Sequence, residues 1–289
     1  AAVFTNLTRD HLDYHGDMAS YGAAKAGLFD MQGLEIAVIN RDDSFGRDLA
    51  ARLHGRRQVV TYGFNGADVR VLELKPSHAG LYLRAATPAG EVELQSPLFG
   101  RFNAYNLLAV LAVLWVLGLD PQQAAARLAQ ARPATGRVER FGGRRGQPLV
   151  VVDYAHTPDA LEQVLRALRE HTRGKIVCVF GCGGERDSGK RPQMGRLAEQ
   201  FADAVIVTDD NPRREAPEKI IGDILAGMQA PPRVIRDRRA AIAAAIDMAG
   251  TDDIVLVAGK GHEDYQQVGD ARLPYSDGRT VQEILGTAA

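Results

Sequence analysis

The sequence predicts an α/β protein in two parts, the second of them a doubly wound, largely parallel sheet. Three observations carry the prediction. From residue 149 onward, short apolar runs rich in valine and isoleucine alternate with helical segments, the pattern of parallel strands joined by helical crossovers. The polar clusters "DYAHTP", "GCGGERD", "DDNPR" and "GKGHED" all fall at the ends of such runs, where sheets of this kind bind ligands. Residues 68–98 break the alternation with segments of period two separated by turn residues, which read as antiparallel hairpins.

Taken in order, "AAVFTN" reads as a strand and "DMASYGAAKAGLFDM" as a helix with Ser20 as its cap. "LEIAVINRDD" and "QVVTYGF" are strands on either side of the helical "SFGRDLAARLHG". "DVRVLELKP", "GLYLRAATP" and "GEVELQSPL" are the hairpin strands, with "SHAG" and "TPAG" as turns. "RFNAYNLLAVLAVLWVLGL" and "PQQAAARLAQA" are two helices. The polar, glycine-rich "RPATGRVERFGGRRGQP" marks a boundary, set at 1–137 and 138–289. Beyond it, strand "LVVVDY" leads to helix "PDALEQVLRALREH", "KIVCVFG" to "KRPQMGRLAEQFA" and "AVIVTDD" to "APEKIIGDILAGM". "RVIR" then leads to "DRRAAIAAAIDMA", and "DIVLVAG" to a final helical "TVQEILG". The chain opens "AAVFTNLTRDH", without an initiator methionine and already inside a strand, so it reads as a piece of a longer protein.

Composition excludes several classes. A formal net charge of -1 gives no global field for nucleic acid or an acidic membrane. The longest apolar run, "LLAVLAVLWVLGL", is too short to span a bilayer and reads as a buried helix. With Cys178 and Cys182 as the only cysteines there is no disulfide framework, and a reducing compartment fits. The expectation is a cytoplasmic monomer that neither binds nucleic acid nor enters a membrane.

"TDDNPRREAP", residues 208–217, holds two carboxylates, an amide and two arginines at the end of an apolar run. A metal asks for oxygens without arginines, and a phosphate for arginines without carboxylates. A small zwitterion asks for both. "GCGGERD" follows a strand but lacks G-x-G-x-x-G, so a glycine-rich turn presenting Arg186 is a simpler account than a dinucleotide site. "AGKGHED" lacks the spacing of a phosphate loop. In "DHLDYH", His11 and His15 stand four apart, but Leu12 replaces the glutamate that a zinc protease needs. Lys25 within "YGAAKAGLF" would ordinarily be a solvated helix lysine. Asn103 and Asn106 of "FNAYN" stand three apart at a helix start, so both amides can face one ligand or serve as caps.

Together, "TNLTRDHLDYHG", "YGAAKAGLF", "GRFNAYN", "GRVERF", "VDYAHTPDAL", "FGCGGERDSGKRP", "TDDNPR" and "AGKGHEDYQ" resemble, in order, the Mur ligases of peptidoglycan synthesis, and among them the diaminopimelate-adding branch. The resemblance covers essentially the whole chain. It implies the second half of a central ATPase domain followed by a Rossmann-like C-terminal domain. The phosphate loop and metal-binding glutamate of the family have no counterpart in this sequence, so the stretch by itself is expected to be catalytically inactive.

The activity implied is that of an ADP-forming acid–amino-acid ligase, in which UDP-MurNAc-L-Ala-D-Glu, ATP and meso-diaminopimelate react through an acyl phosphate. Magnesium neutralises the phosphate oxygens. The resemblance assigns His11 to magnesium and Lys25, as a carbamate, to the same site. It assigns Asn103 and Asn106 to adenine, and Arg137, Asp153 and His156 to ATP. Arg186 and Arg213 would clamp the distal carboxylate of diaminopimelate, joined by Asp210 and Asn211, with Gly259 and Glu263 as the contacts from "GKGHED" and Glu263 taking the distal ammonium. The alternatives are a lysine-adding relative or a folylpolyglutamate synthetase, against which the arginine of "DDNPR" argues, a non-catalytic binding fragment, and an NAD-dependent dehydrogenase with its nucleotide at "GCGGERD".

Overall fold

A computed structural model of the chain describes residues 1–8, 12–144 and 146–286. It divides into two compact units, Ala1–Ala131 and Arg132–Ala289. His11 lies outside the described residues.

The first unit is built on a sheet of β1 (Ala2–Phe4), β2 (Ile36–Asn40), β3 (Gln58–Gly63), β4 (Val69–Ser77), β5 (Gly80–Thr87) and β6 (Gly90–Ser96), in that spatial order. The first four strands are parallel, and β4, β5 and β6 pair antiparallel. Residues 68–98 are therefore the hairpins that their period-two pattern predicts. The helices are α1 (Leu12–His15), α2 (Met18–Gly27), α3 (Ser44–Leu53), α4 (Arg101–Val116) and α5 (Pro121–Leu128). α2 is capped by Asp17, not Ser20: the Asp17 carboxylate accepts the Ser20 amide at 2.7 Å. An anion also complements the positive end of the helix better than a hydroxyl does. Leu107, Leu108 and Leu111 of α4 pack on Leu81, Leu83 and Val92, whereas Val110 of the same helix and Leu117 just after it are exposed.

The second unit holds the sheet β11-β10-β9-β12-β8-β7, formed by β7 (Glu139–Gly142), β8 (Leu149–Asp153), β9 (Ile176–Phe180), β10 (Ala204–Val207), β11 (Arg233–Val234) and β12 (Ile254–Ala258). All pairings are parallel except β7 with β8. α6 (Pro158–Arg169), α7 (Lys190–Phe201), α8 (Pro217–Leu225), α9 (Arg238–Met248) and α10 (Asp277–Ile284) accompany it, with a hairpin of β13 (Tyr265–Val268) and β14 (Ala271–Pro274). β8, β9 and β12 are buried along their whole length, as parallel strands covered on both faces must be. β10, β9, β12 and β8 are neighbours, so the four clusters that follow them share one edge of the sheet. That edge is the carboxyl edge.

Two elements depart from the sequence reading. β7 lies in the segment read as a boundary loop, and the β13–β14 hairpin was not expected. β7 is a four-residue edge strand of intermediate burial, and β14 is exposed throughout, so neither carries the apolar alternation of a strand.

Candidate active site at the carboxyl edge of the second sheet

The loops after β9 and β10 touch backbone to backbone. A Cβ on Gly184 would stand 1.9 Å from the Pro212 carbonyl oxygen, and the Gly184 amide donates to the Asn211 carbonyl at 2.9 Å. The glycines of "GCGGERD" thus serve a loop-to-loop contact. Arg213 Nη1 crosses the same junction to the Gly184 carbonyl at 2.7 Å.

Arg213 has a left-handed backbone, φ 52°. The hairpin holds it there: its amide donates to Gln267 O at 3.1 Å, and its carbonyl accepts the Gly269 amide at 2.7 Å. Arg186 is exposed at the end of the facing loop. Both arginines border Gly183, where a Cβ would lie 2.9 Å from Arg213 Nη1 and 3.7 Å from Arg186 Cγ.

Beside them, Lys260 is fully buried. Its ammonium donates to Asn211 Oδ1 at 2.7 Å and to Tyr265 O at 3.0 Å, and lies 3.5 Å from Glu263 Oε2. Asn211 makes three side-chain bonds in all: Nδ2 donates to Glu263 Oε2 at 2.8 Å, and Oδ1 also accepts the Gln267 amide at 2.9 Å. Asp210 is 7% exposed, with Oδ1 3.1 Å from the Lys260 ammonium. No hydrogen bond forms along that line, so Oδ1 is a buried acceptor without a hydrogen-bond partner. Gly259, at φ +117°, lets the chain pass Asp210; a Cβ there would be 3.0 Å from Oδ2.

The structure therefore brings Arg186, Asp210, Asn211, Arg213, Gly259 and Glu263 together, and adds Lys260. The sequence assigned Gly259 and Glu263 of the same motif but not Lys260 between them. The signal available was a lysine flanked by glycines directly after a fully apolar strand.

A second group surrounds Tyr154. The Arg137 guanidinium lies 4.9 Å from its ring centroid, and the rings of His156 and His262 lie at 4.5 and 5.1 Å. Burial, with the charge of Glu263, pushes the Tyr154 phenol up. Asp153 points elsewhere: its two oxygens accept the amides of Val138 and Ala155, each at 2.8 Å. Burial pushes its carboxyl up against those hydrogen bonds. Asp153 thereby fixes Val138, whose φ is 48°, next to Arg137.

In the first unit, Asn106 Nδ2 donates to Asn103 Oδ1 at 3.1 Å, and Asn103 Nδ2 to the Phe99 carbonyl at 2.8 Å. The two amides share a face of α4, and neither is its cap, which is Gly100. Close in sequence, Tyr105 donates to Asp42 at 2.8 Å, which with burial pushes its phenol up to about 12. Arg101 covers the Phe64 ring at 3.8 Å. Lys25, on α2, donates to the Asn6 carbonyl at 3.0 Å and lies 4.9 Å above the Tyr21 ring. Among the described residues no group of three or more His, Cys, Asp or Glu is placed to hold a metal ion.

Comparison with known families assigns both units. Residues 1–114 match the Mur ligase middle domain, and residues 136–261 match the Mur ligase glutamate ligase domain. The chain belongs to the Mur ligase family.

This Mur ligase chain is 54% identical over 288 residues to the UDP-N-acetylmuramoyl-L-alanyl-D-glutamate–2,6-diaminopimelate ligase of Chromobacterium violaceum. It is 53% identical over 289 residues to the enzyme of the same name from Xanthomonas campestris. Each match takes in 98% of this chain but 58% of the relative, so the chain spans little more than half the length of the curated proteins it matches. A solved structure of a 2,6-diaminopimelate ligase of that name superposes with a TM-score of 0.76 at 40% identity, over 98% of this chain and 59% of the other. The Mycobacterium tuberculosis folylpolyglutamate synthase, at 23% identity over 89% of this chain and 60% of the other and a TM-score of 0.66, shares the fold.

Proposed function

We propose that the chain forms part of an ATP-dependent ligase that joins meso-2,6-diaminopimelate to UDP-N-acetylmuramoyl-L-alanyl-D-glutamate, a step of peptidoglycan precursor synthesis. In this reading residues 1–137 are the latter part of the central ATP-binding domain and 138–289 the ligase domain, acting as a cytoplasmic monomer. The D-glutamate carboxyl takes the terminal phosphoryl group of ATP, giving an acyl phosphate and ADP. The neutral amine of the incoming amino acid attacks that carbonyl carbon. The tetrahedral intermediate collapses with loss of phosphate, and the nitrogen releases a proton to the departing phosphate or solvent, leaving the amide.

One observation carries the choice of amino acid: two arginines flank Gly183 beside the Asp210, Asn211, Lys260 and Glu263 cluster. The distal carboxylate takes the arginine forks, whose charge-assisted bonds are the strong ones. The distal ammonium takes Glu263. Lysine, which lacks the distal carboxylate, forgoes both arginine forks. Sites built for such bonds reject analogues by roughly 10⁴–10⁵.

On the nucleotide side, the Asn103–Asn106 amide pair reads adenine, while Arg137 and His156 meet phosphate. Asp153 acts through Val138 by holding Arg137 in place. The Lys25 ammonium donates to a carbonyl as it stands and repels a cation, so Lys25 fits magnesium only with that amine carbamylated; His11, the other residue proposed for the ion, lies outside the described residues. Magnesium, when bound, neutralises phosphate oxygens.

The test is Arg213→Ala, with affinities for meso-diaminopimelate and L-lysine measured in parallel. Truncating one partner of a buried charged pair costs about 2–5 kcal/mol, here on diaminopimelate alone. Unchanged affinity for diaminopimelate contradicts the carboxylate assignment.

A further inference from the structure

We infer that Arg191, which the proposed chemistry does not touch, is a positioning residue that sets the spacing of Arg186 and Arg213 and thereby the preference for a dicarboxylic amino acid. The inference rests on the reading of those two arginines given above.

Arg191 lies in the first turn of α7 and is fully buried. Arginine is almost never buried without partners. Its Nη1 donates to Glu215 Oε1 at 2.8 Å and its Nη2 to Glu215 Oε2 at 2.7 Å, a two-point fork. Nη1 also donates to Asp223 on α8 at 2.8 Å, and Nη2 to the Gly183 carbonyl at 3.2 Å. Glu215 in turn accepts the Glu185 amide at 3.0 Å, and its own amide closes a turn onto the Pro212 carbonyl at 3.1 Å.

One ion pair therefore grips both arginine-bearing turns. It holds the first at Gly183 and Glu185, immediately before Arg186, and the second at Glu215, two residues after Arg213. Both turns need holding. Glu185 and Arg213 sit at φ 53° and 52°, a region that disfavours residues with a Cβ. The platform under the pair is itself tight. A Cβ on Gly195 would meet the Ile224 carbonyl oxygen at 2.3 Å, and one on Gly227 the Pro192 carbonyl oxygen at 1.8 Å, so α7 and the end of α8 are in backbone contact. A lysine at 191 keeps the charge but cannot fork two oxygens while holding Gly183.

The test compares the unsubstituted 289-residue chain with Arg191→Lys and Glu215→Gln, using calorimetric affinities for meso-diaminopimelate and L-lysine together with thermal midpoints. Misplacing a binding group by about 1 Å can cost a hundredfold, so the expected result is a preference for diaminopimelate that falls by about tenfold to a hundredfold, with lysine affinity unmoved. A purely structural pair lowers the midpoint and leaves the preference intact, and that result overturns the inference. Should Arg191→Lys fail to fold, Glu215→Gln, which keeps the size and one acceptor, carries the same comparison. If the unsubstituted chain shows no preference, the reading of Arg186 and Arg213 fails first, and the inference falls with it.

Discussion

The ammonium of Lys260 donates to Asn211 Oδ1 at 2.7 Å from a position with no access to solvent. Its charge stands between Asp210 Oδ1 at 3.1 Å and Glu263 Oε2 at 3.5 Å, so it offsets one of the two carboxylate charges of the site before any ligand arrives. Counted with Arg186 and Arg213, the cluster carries one more cation than anion. An amino acid with a distal zwitterion and, at its reacting end, a neutral amine beside a carboxylate matches that balance.

Lys260→Met leaves the buried Asp210 and the half-buried Glu263 without their cation. Breaking a buried pair from one side costs roughly 3–5 kcal/mol. Urea unfolding should show the loss as a lower midpoint for the second unit, with the first unit unchanged. An unshifted midpoint would mean that the site's charges are solvated in some other way.

Gly259→Ala asks an alanine to adopt φ +117° with its Cβ 3.0 Å from Asp210 Oδ2. Backbone in so sparsely populated a region costs on the order of 1–3 kcal/mol, and relief requires displacing the Asp210 carboxylate. Diaminopimelate affinity is expected to fall together with the thermal midpoint. A variant with both intact would remove Gly259 from the site.

Glu215 gives the acid limb of stability a definite sign. Hydrogen bonds from Arg191, and then from the Glu185 amide, hold its carboxyl well below the usual range. A group with a depressed folded pKa stabilises fully above its unfolded value, about 4.3, and loses that contribution as pH falls below it. Asp153, pushed up by burial, has the opposite slope, losing stability as pH rises past its ordinary value. Glu215→Gln should therefore flatten the drop below about pH 4.3 seen in denaturant midpoints measured across pH. A drop as steep as in the unsubstituted chain would assign acid sensitivity to other carboxylates.

Cys178 and Cys182 are both pushed up to about 12 by burial. Neither supplies thiolate near neutrality. A disulfide-exchange reagent should titrate no fast thiol in the native chain and both after unfolding. A fast-reacting thiol in the native state would place one of them at an accessible surface.

Much of the fold was legible because it rests on periodicity. The parallel strands of the second unit are apolar runs separated by helices, and the hairpins of the first unit alternate at period two. Elements without a periodic signal escaped. β7 is short and lies at the edge, and the β13–β14 hairpin is largely polar although it holds Arg213 and the Asn211 side chain. The carboxyl-edge loops were legible as a group because apolar strands end where they begin. Burial inside those loops was not. Lys260 and Asn211 are 49 residues apart, and Arg191 and Glu215 are 24 apart, so each buried charge finds its partner only after the strands have set the loops side by side. Asp153 shows the converse. A polar residue at a strand end suggests a ligand, yet both of its oxygens are taken by local amides.

The most direct test of the central claim is calorimetric binding of meso-diaminopimelate to this chain, with L-lysine as the control. The mixed-sign cluster at Gly183 predicts that diaminopimelate binds and that lysine binds far more weakly or not at all. Equal affinity for the two amino acids would contradict the assignment of Arg186 and Arg213 to a distal carboxylate.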